Sequence, residues 1–178
     1  MSNDTIAGSG LEKMFYGQIL SILVIIPLVG WIAAIVGIVL FLVGLHEAAG
    51  ADEGYRTAFY VEIGILVLSV LAVFIGVLNI VTSILSLVVI YLVCTTTAGL
   101  LEVKGDLGTA ARGRFAWKFY GGCTAVVVVC SILSLIPLVN ILAMVVIVPA
   151  SIASVVGGIL LLIFLTGPAK VCGIEYGK

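Results

Sequence analysis

Residues 57–101 have the sequence TAFYVEIGILVLSVLAVFIGVLNIVTSILSLVVIYLVCTTTAGLL, and this block decides the fold class. Glu62 is its only Asp, Glu, Lys or Arg. A helix that crosses a membrane needs about 20 apolar residues, with a range of roughly 17–25. A block of about 45 residues is therefore too long for one helix and fits two. We predict two helices joined by a turn near Gly76 and Asn79, because Gly and Asn favour chain reversals.

Two further apolar blocks lie at about 14–45 and 115–167. The latter fits two helices, whereas the former fits one long tilted helix or two short ones. The 178 residues are 63% hydrophobic and only 10% charged, against about 25% charged in soluble domains. We predict an all-α integral membrane protein with about six transmembrane helices in three tandem hairpins. Four or five crossings are the alternatives.

The basic residues favour the six-helix arrangement. All eight lie in the termini or in the two polar loops: Lys13, Arg56, Lys104, Arg112, Arg114, Lys118, Lys170 and Lys178. If each block forms a hairpin, all eight cations share one face of the membrane. Because cytoplasmic loops carry the Lys/Arg excess, we predict that both termini and the two long loops are cytoplasmic.

A repeated segment supports the hairpins. Residues 21–30, SILVIIPLVG, return at residues 131–140 as SILSLIPLVN, with seven of ten positions identical. In each copy the proline and a following Gly or Asn mark a turn, although a kink at Pro27 within one helix is the alternative. We predict a single transmembrane domain over 1–178 with hairpin repeats at about 10–46, 55–102 and 110–168.

The polar segments contain candidate helix starts. Ser9 and Glu12 match the S-x-x-E capping box, which predicts that the first helix begins near Gly10, and we expect it to end near Ile26. Thr109 is the candidate cap of the fifth helix.

The run IPLVGWIAAIVGIVLFLVGL at residues 26–45 resembles small, uncharacterised multi-span membrane proteins of bacteria and archaea. The resemblance covers about twenty residues and rests on a proline–glycine–tryptophan turn in a glycine-studded helix. It implies a prokaryotic cytoplasmic (inner) membrane, and it supplies no activity and no functional residues.

Glu62, Thr95 and Thr96 form a candidate intramembrane polar site. A carboxylate inside an apolar run is costly, which favours a role in binding a cation or relaying a proton. The alternative is an interfacial position, because Glu62 follows Tyr60 by two residues and lies only about 3 Å deeper along a helix. Gln18 occupies the same position after its own aromatic pair. Threonine hydroxyls near a helix end also bond commonly to their own backbone.

Small residues mark candidate helix-packing surfaces. Gly30, Gly37 and Gly44 are spaced by seven and lie along one stripe of the second helix, while Ser154 and Gly158 belong to a similar surface on the sixth. Small side chains let membrane helices approach closely, either within the chain or between subunits.

The cations near the block ends are candidate contacts to lipid head groups: Lys13, Arg56, Arg112, Arg114 and Lys118. The net charge of −1 argues against a nucleic-acid partner, since phosphate binding needs a concentrated positive surface. We expect as partners the lipid bilayer and either copies of the chain or another membrane protein.

The sequence contains no His/Cys/Asp/Glu cluster at metal spacing, no nucleophile–base pair and no phosphate-binding loop. We therefore predict a non-enzymatic protein with no cofactor and no metal. The preferred function is helix-packing assembly, as a self-oligomer or a subunit of a membrane complex. The alternatives are a small ion or proton channel or transporter that uses Glu62, and a membrane-shaping hairpin protein.

Overall fold

A computed structural model describes the backbone of residues 3–22, 29–133 and 140–171, and the side chains of residues 6–20, 32–133 and 145–168. These residues form six helices and, within the described ranges, no strand. The helices are α1 (Asn3–Ile22), α2 (Val29–Ala48), α3 (Glu53–Ala72), α4 (Leu78–Val103), α5 (Leu107–Leu133) and α6 (Asn140–Val171). The predicted all-α fold is confirmed.

Four helices are long and apolar enough to cross a membrane: α3, α4, α5 and the Val145–Pro168 part of α6. The described apolar part of α2, Ile32–Ala48, is shorter. The first turns of α1 are polar, with Asn3 and Asp4. A membrane-embedded protein is therefore confirmed, whereas a full crossing by α1 and α2 stays a prediction.

The six helices form a closed ring. Each helix packs against the next one along the chain, and α1 packs against α6 to complete the circle. A smaller contact joins α4 to α6 across the interior. The ring therefore places residues from all six helices around one interior.

Close approaches show that α1 and α2 are antiparallel. A Cβ atom built on Gly10 would lie 2.5 Å from the carbonyl oxygen of Gly44, and one built on Gly17 would lie 2.6 Å from that of Gly37. In both pairs the midpoint of the two residue numbers is 27, as expected for the two helices of a hairpin. A single helix kinked at Pro27 is therefore wrong. Pro27 and Pro137 themselves lie outside the described residues.

The other two neighbouring pairs are arranged in the same way. Gly113 contacts the ring of Phe164, and a Cβ atom on Gly157 would lie 3.1 Å from the Cα atom of Tyr120. Both pairs are centred between residues 138 and 139, close to the turn predicted for the third block. Among the described residues, α3 and α4 are joined by residues 73–77, which include the predicted turn residue Gly76.

Two predicted helix caps are wrong. Helix α1 begins at Asn3, and Ser9 lies inside it, where its Oγ donates a hydrogen bond of 2.9 Å to Glu47 of α2. Helix α5 begins at Leu107, and the backbone N–H of Thr109 donates to the Asp106 carboxylate over 3.0 Å. Asp106 is therefore the N-terminal cap of α5, whereas Ser9 forms a hydrogen bond between α1 and α2.

We call the end of the ring that carries the loops 49–52 and 104–106 the charged end, and the opposite end, with residues 73–77, the turn end. The core lies toward the charged end, where Leu11, Leu45 and Leu101 are fully buried. Every buried residue of α4 lies at or after Val89, and at the turn end Phe74 is 84% exposed. The packed core therefore closes the ring at the charged end.

Candidate functional site

A cavity of about 220 Å³ lies inside the ring, between the packed core and the turn end. Four polar side chains from four different helices line it: Gln18 of α1, Glu62 of α3, Ser86 of α4 and Tyr120 of α5. Apolar side chains and glycines complete the wall, including Gly37 and Phe41 of α2. Five helices thus contribute to one cavity.

A second space of about 350 Å³ adjoins this cavity and shares Gln18, Ile90 and Tyr120 with it. It extends toward α6, where Ser154 and Gly158 line it. The polar lining of the interior therefore includes side chains from α1, α3, α4, α5 and α6.

Helical periodicity explains why Glu62 faces inward. Residues three, four and seven positions apart share one face of a helix. Glu62 follows the buried residues Tyr55 and Ala58 by seven and four positions, and it precedes the buried Ile65 by three. Tyr60, which lies on the other face, is 65% exposed. Glu62 therefore belongs to the inner stripe of α3, although its side chain is only half-buried.

The other polar residues follow the same rule. Gln18 comes four positions after the fully buried Met14, and Ser86 comes three positions before the buried Val89. Tyr120 comes four positions after the buried Ala116. Each of these four helices therefore directs one polar side chain into the cavity.

The cavity lies at mid-height in the bundle. Glu62 is nine residues after the start of α3 and ten before its end, so it lies about 14–15 Å from each end at ~1.5 Å per residue. Tyr120 is thirteen residues from both ends of α5. Proximity to Tyr60 along the sequence therefore does not bring Glu62 to an end of its helix.

Glu62 is the only Asp, Glu, Lys or Arg that lines the cavity or the adjoining space. No hydrogen bond or ion pair joins it to another of the residues whose side chains the structure describes. A carboxylate that faces a cavity in a helical membrane bundle, with no counter-charge among the described side chains, is a candidate group for binding a proton or a cation. The oxygens of Gln18, Ser86 and Tyr120 are further acceptors for a cation.

A buried hydrogen bond lies in the packed core between the cavity and the charged end. The Tyr55 hydroxyl and Thr97 Oγ1 are 2.7 Å apart. Thr97 Oγ1 donates to the carbonyl oxygen of Val93 over 2.6 Å, so Tyr55 is the donor to Thr97. This hydrogen bond links α3 to α4 on the side of the cavity that faces the charged end.

The structure separates the three residues that the sequence groups as a polar site. Thr95 donates to the carbonyl oxygen of Tyr91 over 2.6 Å. Thr96 lies against Gly54 at the charged end. Neither threonine lines the cavity that contains Glu62. The sequence analysis missed Ser86 and Tyr120, because only the arrangement of the helices brings these polar residues to the cavity.

Gly37 and Gly44 of the candidate packing surfaces pack against their own chain, whereas a Cβ atom on Gly158 would lie in open space. Gly44 contacts Gly10 and Met14 of α1, and Gly37 contacts α1 and lines the cavity. Ser154 and Gly158 line the adjoining space. The surroundings of Gly30 lie outside the described residues.

Three of the predicted head-group cations have acidic neighbours. Lys13 forms an ion pair with Glu47, and Arg114 forms one with Glu102, which links α5 to α4. The Arg56–Glu53 pair is looser, at 4.0 Å, and highly exposed. Arg112 and Lys118 are exposed. Contact of these five cations with lipid stays a prediction.

Within the described ranges, no group of three His, Cys, Asp or Glu side chains lies close enough to hold a metal ion. A scan against protein-family models, a search of curated proteins and a search of solved structures each found no match. The function is therefore inferred from the geometry of the cavity.

Proposed function

We propose that this protein is a small channel or transporter that moves protons or small cations across the membrane, with Glu62 as the cation-binding group. The convergence of Glu62 with polar side chains from three other helices on one cavity carries the proposal. A carboxylate inside a membrane bundle is costly, and it marks an ion or proton pathway when it faces an interior cavity. The protein is not an enzyme in this proposal.

In this mechanism the cavity replaces part of the hydration shell of the cation. The Glu62 carboxylate supplies the charge, and the amide of Gln18 and the hydroxyls of Ser86 and Tyr120 supply further oxygens. For a proton, the Glu62 carboxyl is the group that binds and releases it. We place the charged end at the cytoplasm, because the Lys/Arg excess lies there.

Release at the charged end requires the packed core to open. The backbone of the α1–α2 pair approaches the rest of the ring at α2–α3 and α1–α6, as far as the chain is described, and its side chains share the core with Val89 and Val93 of α4. A rigid-body movement of this pair would break the seal around Leu11 and Leu45 without disrupting the Lys13–Glu47 ion pair, because both partners move together.

The alternative role in helix-packing assembly has less support. It rested on the small-residue stripes, the minimal loops and the near absence of buried polarity. Gly37 and Gly44 contact α1 of the same chain, whereas a Cβ atom on Gly158 would meet nothing within 4 Å. The membrane-shaping alternative requires α1 and α2 to stop short of the opposite side of the bilayer, which labelling of residues near Gly30 from outside would test.

Flux of protons and monovalent cations into liposomes that contain the purified protein tests the proposal. We compare the wild type with Glu62→Gln, which removes the charge and keeps the size of the side chain. Interactions of a charged group are worth about 1.5–3 kcal/mol, so we expect the flux to fall about 10- to 100-fold.

Glu53→Gln is the matched control, because Glu53 starts the same helix and its side chain is 86% exposed. We expect this variant to retain the wild-type flux. Absence of wild-type flux above that of empty liposomes would contradict the proposal and favour the assembly role. Equal flux in the wild type and Glu62→Gln would exclude Glu62 from the pathway.

A further inference from the structure

A groove of about 450 Å³ lies between α5 and α6 near the charged end, apart from the central cavity. Its wall includes Thr109 and Arg112 from α5 and Ile163 and Thr166 from α6. None of the residues that line it also lines the central cavity. Sites for small molecules usually have volumes of roughly 300–1,000 Å³, so this groove can take a substantial ligand.

The groove has a polar end and an apolar end. Thr109, Arg112 and Thr166 lie toward the charged end, whereas Phe115 and Leu160 line the deeper part. Leu160 is six residues before Thr166 along α6, so the apolar end lies about 9 Å deeper along the helix. This order of polarity matches a molecule with a polar head and an apolar tail.

Arg112 differs from its neighbour Arg114 in its surroundings. Arg114 forms an ion pair with Glu102. Among the described side chains, no carboxylate lies within 4.0 Å of Arg112, and Asp106, the acidic group that interacts with it electrostatically, accepts hydrogen bonds from Thr109. The Arg112 guanidinium is exposed and therefore has donors available for another anion.

We propose that this groove binds one anionic phospholipid, with its phosphate on Arg112 and an acyl chain along Phe115, Leu160 and Ile163. Both helices contain candidate membrane spans, so the groove lies beside the lipid. Guanidinium groups bind phosphate through paired hydrogen bonds, and basic pockets between membrane helices take anionic head groups. The site does not depend on the proposed transport function.

Native mass spectrometry of the detergent-purified protein with added phosphatidylglycerol tests the site, with phosphatidylcholine of the same chains as the neutral comparison. We expect one phosphatidylglycerol per chain at low lipid concentration and weaker phosphatidylcholine binding. Arg112→Gln should weaken phosphatidylglycerol binding about fivefold, as for one cation at a membrane surface. It should weaken phosphatidylcholine binding less, because the choline cation offsets the phosphate charge. Lys118→Gln, which removes a cation of the same helix outside the groove, should bind as the wild type does.

A second variant tests the apolar part without a change of charge. Ala111 is exposed and lines the groove, so Ala111→Trp should fill it without disturbing the core and should weaken the binding of both lipids. Equal losses in Arg112→Gln and Lys118→Gln would overturn the site. Unchanged lipid binding by Ala111→Trp would also overturn it. The same holds if inorganic phosphate binds as well as phosphatidylglycerol does, or if the spectra show dimers of the protein in place of lipid adducts.

Discussion

The contact between α3 and α4 at the charged end gives a prediction whose size depends on Thr96. A Cβ atom on Gly54 would overlap the hydroxyl of Thr96 and would lie 3.1 Å from Asp52 Oδ1 and 3.2 Å from the Thr96 Cβ atom. Gly54→Ala should therefore destabilise the protein in the wild-type background. In a Thr96→Ala background the overlapping hydroxyl is absent while the other two contacts remain, so the same substitution should cost less.

The magnitude follows from two opposing effects. Overpacking at a well-packed contact costs about 1–3 kcal/mol, while replacement of Gly by Ala within a helix stabilises it by up to about 1 kcal/mol. We expect Gly54→Ala to lower the free energy of unfolding by about 1–2 kcal/mol in the wild type. In the Thr96→Ala background we expect a smaller loss, of less than about 1 kcal/mol, because two tight contacts remain and the helix propensity of Ala offsets part of their cost.

The assay is reversible unfolding of the purified protein in mixed micelles, followed by circular dichroism. Gly64→Ala is the control on the same helix, because nothing lies within 4 Å of a Cβ atom at that position, and it should behave alike in both backgrounds. An equal loss for Gly54→Ala with and without Thr96 would refute the packing of α3 on α4 described here.

Two further predictions concern α5 and its contact with α6. Hydrogen bonds from the Thr109 side chain and backbone lower the pKa of Asp106. The stabilisation of α5 by the Asp106 carboxylate is therefore fully present above the ordinary pKa of Asp, and it is lost as the pH falls through the lowered pKa. Unfolding measured between about pH 5 and pH 2 should accordingly show a weaker pH dependence in Asp106→Asn than in the wild type. Gly157→Ala should destabilise the protein by about 1–3 kcal/mol, since its Cβ atom would lie 3.1 Å from the Tyr120 Cα atom. Gly158→Ala has open space and should leave the unfolding free energy unchanged or raise it by up to about 1 kcal/mol. Equal effects of the two substitutions in the same unfolding assay would contradict the α5–α6 pairing.

The helices were predictable because apolar length and turn residues are local properties. The block at residues 57–101 is too long for one helix, and Gly76 lies in the turn that the structure describes. The start of α1 was not predictable from the same kind of pattern. Ser9 has a partner 38 residues away, Glu47, and a capping motif does not reveal that a tertiary contact uses its hydroxyl.

The candidate site was only partly predictable. Glu62 is prominent as the one charged residue of its block, but the direction in which it faces depends on the placement of α2 and α4 beside α3. The same limit applies to Gly44, whose small size predicts a close helix contact without identifying α1 as the partner. Polar residues such as Ser86 and Tyr120 become functional candidates only when the ring brings them to one cavity.

Modification of Glu62 by a hydrophobic carbodiimide tests the central claim most directly. The reagent forms a covalent adduct with a protonated carboxyl in apolar surroundings, mass spectrometry locates the adduct, and flux is measured on the same liposomes. We predict that Glu62 is modified before the exposed carboxylate Glu53 and that flux falls in proportion to the modified fraction of Glu62. Undiminished flux after complete modification of Glu62, or loss of flux while Glu62 stays unmodified, would contradict the account.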